Sequence, residues 1–128
     1  MPTIPDEKDM KELKSFAAPP QAVKDVFSGL FALLGFKRGD AEDWKFAKRQ
    51  MGSVGDQSIN SQMARFDPKP LTPAKVKYVQ EKLAPHSPEH VRNVSRALEG
   101  YYLWVRDTVN SLPSELKDEQ PTEQAAKQ

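Results

Sequence analysis

Apolar residues in this chain return at intervals of three and four, the spacing that puts side chains on one face of an α-helix. Val23, Val26, Phe27, Leu30, Phe31 and Leu34 form the clearest such stripe and predict a helix from Pro20 to Leu34. Pro20 suits the first helical position, where its missing N–H costs nothing, and Gly35 suits the residue beyond the end. Residues 11–18 read as a short helical lead-in that stops at Pro19-Pro20. A proline loses a helical hydrogen bond and pushes the residue before it out of helical geometry, so two helices should meet there at a fixed kink. Phe36 to Glu42 reads as a loop. Asp43 then caps a helix over 43–51, with Trp44, Ala47 and Met51 on one face and Lys45, Lys48 and Arg49 elsewhere. Gly52 to Gly55 breaks it. A third helix is expected from Asp56 to Phe66, with Ile59, Met63 and Phe66 inward, before the stiff loop Asp67-Pro68-Lys69-Pro70.

Thr72-Pro73 and Ser87-Pro88 repeat one signature, a capping hydroxyl followed by proline at the first helical position. They predict a helix over 73–84, with Val76, Val79 and Leu83 inward, and a continuous last helix over 88–112. That last helix carries the stripe Val91, Val94, Leu98, Tyr101, Val105 and Val109. No repeat and no strand alternation emerges. The expected fold is all-α, a small bundle of five to six helices with a kinked N-terminal lead-in. Residues 1–10 are expected to be a flexible N-terminus, 11–112 the folded helical domain and 113–128 a flexible acidic tail.

At 128 residues the chain has room for one ordinary domain. It has no cysteine, which excludes disulfides, thiolate nucleophiles and cysteine-based zinc sites. No apolar run approaches the roughly 20 residues needed to span a membrane. The first residues carry no basic-then-apolar leader pattern, so a reducing, cytoplasmic compartment is the expectation. A net charge of +1 argues against general nucleic-acid binding. The charge is uneven: −1 over residues 1–19, +4 over 20–112 and −2 over 113–128. A mildly basic body suits an acidic protein surface better than a polyphosphate backbone.

The motifs of catalysis are missing. His86 and His90 lie four apart, but with no third ligand beyond Glu89 and no HExxH pattern they read as solvated loop and cap histidines. No glycine-rich phosphate loop is present, and Arg38-Gly39-Asp40 reads as a turn. No cofactor, metal or catalytic set is expected. Tyr101, Tyr102 and Trp104 could stack on bases, but their helical spacing favours a core stripe. Lys24 falls on the polar side of the first long helix, and Arg92 and Arg96 lie four apart in the last. Taken alone, these are an ordinary charged surface.

Four ordered pieces change that reading. They are Leu13-Lys14-Ser15 leading to Pro19-Pro20-Gln21-Ala22-Val23-Lys24; Leu33-Leu34-Gly35; Asp43-Trp44-Lys45; and Ser95-Arg96-Ala97-Leu98-Glu99-Gly100 followed by Trp104-Val105. Over residues 11–110 their order and spacing resemble the microtubule-binding domain of dynein heavy chains, the tip of the motor's coiled-coil stalk. The resemblance implies a non-enzymatic module that binds microtubules at the α/β-tubulin junction through the first, third and last helices. It implies a cytoskeletal setting, the ciliary or flagellar axoneme included, with other dynein or axonemal subunits as further candidate partners. Nucleic acid and membrane are not expected partners.

The resemblance also implies that lysine and arginine meet acidic tubulin. Lys24 matches a tubulin-facing lysine of the family. Arg65, Arg92 and Arg96 are the other candidates. Val94 stands where the family places a basic residue. Only about eight residues of an incoming stalk strand are recognisable, and Pro113 and Pro121 interrupt any outgoing one, so the chain reads as an excised piece of a motor or a free-standing tip. The alternative is a structural adaptor of the same fold that binds another cytoskeletal or ciliary protein.

Overall fold

The computed structural model describes residues 8–53 and 55–113, and among them every regular element is helical. In chain order these are α1 (Lys8–Lys14), α2 (Gln21–Leu33), α3 (Arg38–Ala41), α4 (Trp44–Met51), a 3₁₀ turn (Gly55–Gln57), α5 (Ile59–Ala64), α6 (Pro73–Leu83), α7 (Pro88–Val94) and α8 (Arg96–Asn110). The expected flexible tail lies, apart from Pro113, outside the described residues, as do residues 1–7.

The axis of the bundle is α2. Its apolar stripe predicts one buried face, yet every residue of it except Gln21 and Lys24 is buried. The cause is that α2 packs against α6, α8, α3 and α7 at once. Gly29 marks a close approach, since a β-carbon there would meet Val79 Cγ1 at 3.3 Å and Val105 Cγ1 at 3.7 Å. Phe27 and Phe31 centre a ring network reaching Tyr101, Trp44, Phe36 and Phe46 at centroid distances of 5.6–6.4 Å. Burying each such side chain contributes about 1.5–3 kcal/mol.

The end of α2 follows from Gly35. Its φ of 100° lets the chain reverse. The Gly35 N–H then donates to the Ala32 carbonyl and the Phe36 N–H to that of Phe31, which satisfies two orphan acceptors at the helix end. The Phe36 ring lands edge-on against Phe31, 5.6 Å away.

Four expectations change. Residues 38–41 form a one-turn helix rather than a plain loop, with Glu42 N–H returning to the Arg38 carbonyl. The third helix opens as a 3₁₀ turn, and α5 starts only at Ile59, where the Ser58 side chain accepts from Ser61 N–H. The last helix is not continuous. Ser95 adopts extended geometry (φ −167°, ψ 128°), ending α7 and capping α8. The lead-in also runs earlier than expected, from Lys8 to Lys14. Residues 15–20 connect it to α2 through the two prolines, of which Pro19 is buried.

Candidate functional site

Lys24 owes its position to a buried neighbour. The Asp25 side chain is only 9% exposed. Its Oδ2 lies 2.7 Å from His86 Nε2, and its Oδ1 accepts from Gln21 Nε2 at 2.8 Å. Tyr102 Oη donates to the His86 carbonyl at 3.2 Å. The first turn of α2 is thereby tied to the α6–α7 connection and to α8, and Lys24 points out from a fixed base. It lies on a shallow depression shared with Glu42, Asp43 and Trp44. The expectation of two solvated histidines is corrected at His86. The His86 side chain is buried, only 6% exposed, with Asp25 against its ring and Tyr102 on its carbonyl. His90 is exposed and stacks parallel to the His86 ring, 5.5 Å away.

Arg92 and Arg96 both act on Glu99, though not as neighbours on one helix. Arg92 sits in the last turn of α7 and Arg96 is the first residue of α8. Glu99 pairs with Arg92 and feels the Arg96 charge. Arg92 grips its Oε2 through Nη2 at 2.7 Å and Nε at 2.8 Å. The Arg92 hydrogen bond, and more weakly the Arg92 and Arg96 charges, hold the Glu99 carboxyl below its ordinary value against a smaller opposing effect of burial. The same Glu99 bond raises the Arg92 guanidinium.

Arg65 ends α5 on the rim of an open cleft of about 490 Å³. Leu34, Phe66 and Pro70 line that cleft, and Lys75 adds a second cation that sequence reasoning did not single out. Lys24 and Arg65 thus lie at different depressions with no lining residue in common.

The aromatic run is core. Tyr101, Tyr102 and Trp104 are all at most 5% exposed. Among the described residues, no group of three or more His, Asp or Glu side chains could hold a metal ion. No described helix is long and apolar enough to cross a membrane. What this surface offers is cations on fixed supports, which suits recognition of an acidic protein.

The lead-in helix and the residue run after it dock on this arrangement at three points. Leu13 is completely buried. The Phe16 carbonyl accepts from Trp44 Nε1 at 3.1 Å. Glu12 Oε2 accepts from Ser95 Oγ at 2.5 Å.

A helical lead-in bent at two prolines onto a small all-α head, with basic residues on its central and last helices, defines a stalk tip. A family model described as the microtubule-binding stalk of dynein motor matches residues 3–128, and the chain belongs to that family. The human protein Dynein axonemal heavy chain 2 is 29% identical over 103 residues, covering 79% of this chain. Human Dynein axonemal heavy chain 17 is 32% identical over 108 residues, 81% of the chain. Human Dynein axonemal heavy chain 6 is 28% identical over 100 residues, 77% of the chain. The match spans 2% of the length of each of these relatives. No solved structure gives a significant match.

Proposed function

We propose that this segment is the docking module of an axonemal-type dynein and that it binds microtubules electrostatically, with Lys24, Arg65, Arg92 and Arg96 meeting acidic tubulin. One observation carries the reading most directly. Lys24 is the single charged side chain that the central helix leaves exposed, and it stands on a base fixed by Asp25 and His86. Arg96 and Arg92 add charge where α7 meets α8. Module and microtubule are held by charge complementarity, which supports fast association and a strong dependence on ionic strength. The module itself is read as non-catalytic. The setting is the axonemal cytoskeleton, where further axonemal subunits are candidate partners.

Co-sedimentation with microtubules across a salt series tests this. The chain should pellet at low ionic strength and release as salt rises, and Lys24→Glu should weaken binding by about five- to tenfold. Failure to pellet at low ionic strength would end the reading. A second reading keeps the fold but gives it another cytoskeletal or ciliary protein as partner. Val94, half-buried against the core where the family resemblance expects a basic residue, favours it. That reading expects binding to a purified axonemal partner that Lys24→Glu leaves unchanged.

A further inference from the structure

We infer that Glu12 and Ser95 are positioning residues that set the break between α7 and α8, and with it the placement of Arg92 relative to Arg96. The inference rests on the docking reading above, in which both arginines face tubulin.

Ser95 is the one non-helical residue between two helices, so their mutual angle is set at its two backbone torsions. Its backbone is nevertheless fully used. Its N–H donates to the Val91 carbonyl at 2.9 Å, and its carbonyl accepts from Glu99 N–H at 3.2 Å. Its side chain faces inward, and the residue is 6% exposed. The hydroxyl oxygen accepts from Leu98 N–H at 3.3 Å, which ties it to α8. The hydroxyl proton goes to Glu12 Oε2 at 2.5 Å, in the range of a hydrogen bond to a carboxylate.

Glu12 cannot drift on its own, because the next residue, Leu13, is buried completely. The lead-in helix therefore holds the break through a part-buried bond from the exposed Glu12 to the buried Ser95. The Arg92–Glu99 pair spans the same junction at 2.7 Å. Without the Glu12 tie, only that exposed pair and packing fix the angle, and an exposed ion pair contributes little. A small rotation at Ser95 then moves Arg92, three residues before the break, against Arg96, one residue after it.

Glu12→Ala removes this tie and leaves the α8 cap intact. It should lower microtubule affinity by about fivefold or more. Glu12→Gln keeps an acceptor oxygen and should restore affinity to within about twofold of native. The chain has no cysteine, so spin labels placed through Asn93→Cys and Ser111→Cys report the distance between α7 and the end of α8. That distance distribution should be narrow in the native chain, broad with Glu12→Ala and narrow again with Glu12→Gln. Ser95→Ala deletes the same contact from the other side, and its affinity loss should not add to that of Glu12→Ala.

An unchanged label distribution in Glu12→Ala overturns the inference, as does a loss of thermal stability with undiminished affinity of the folded protein. Additive losses in the double variant do the same. If the native chain does not pellet at all, the docking reading has failed, and the label distances alone decide whether Glu12 sets the break.

Discussion

Asp25 is the kind of residue that a pattern of polar and apolar positions misplaces. It follows Lys24 on what reads as the polar side of α2, yet it is buried and holds His86 at 2.7 Å. The partner lies 61 positions away, so no local signal announces the pair. The reading of His86 as solvated failed for the same reason, while Lys24, which needs no partner to be exposed, was legible. Removing the imidazole leaves a carboxylate in the interior with Gln21 as its remaining partner. His86→Ala should therefore cost about 3–5 kcal/mol in a urea titration, a large share of a small domain's stability. A loss below about 1 kcal/mol would mean that Asp25 escapes to water. Glu99 is the other residue that spacing could not reveal, because it faces Arg92 across a helix break. Its grip occupies a guanidinium that the proposed docking assigns to tubulin. Glu99→Gln should raise microtubule affinity about two- to fivefold in a co-sedimentation assay, and adding Arg92→Ala should cancel the gain.

The helical elements were readable wherever a cap and a stripe agreed. Asp43, Thr72 and Ser87 each accept a backbone N–H at the helix start predicted for them, from Lys45, Lys75 and His90. The break at Ser95 was not readable. It falls inside an unbroken apolar stripe, with neither proline nor glycine beside it, and only the Glu12 carboxylate and the Leu98 N–H explain why serine stands there. The α3 turn escaped because four residues are too few for a periodic signal. Gly35 is the reverse case, since the sequence put a stop there and the backbone requires it. A β-carbon at Gly35 would meet nothing within 4 Å, but φ is 100°. Gly35→Ala should thus destabilise by about 1–2 kcal/mol through backbone strain alone, measured as a fall in the urea midpoint at unchanged slope. A neutral outcome would show that α2 can end another way.

Across the molecule, the distant segments α3 and α6 are joined at the surface by one mixed cluster. Tyr78 Oη donates to Glu42 Oε2 at 2.6 Å, Arg38 lies over the Tyr78 ring at 4.9 Å, and Lys82 reaches Glu42 at 3.7 Å. The Tyr78 hydrogen bond is the main influence lowering the Glu42 carboxyl below 4.5, with Arg38 and Lys82 helping against burial. Burial first, and then the Glu42 bond, push the Tyr78 hydroxyl upward from 10.0. The two directions fix the pH dependence of this tie. A carboxyl lowered by folding stabilises the fold above 4.5, and that contribution fades as pH falls through its folded-state value. A phenol raised by folding stabilises below 10.0, and its contribution fades as pH climbs beyond that value. Tyr78→Phe removes both influences and keeps the ring under Arg38. The stability gap between native and Tyr78→Phe protein, about 0.5–1.5 kcal/mol, should stay level between about pH 5 and pH 9. It should shrink toward about pH 3 and again above about pH 10. Urea titrations of both proteins at these pH values would show it. A gap that stays the same at acid pH would assign the stabilisation to the stacked ring and take the charge of Glu42 out of the account.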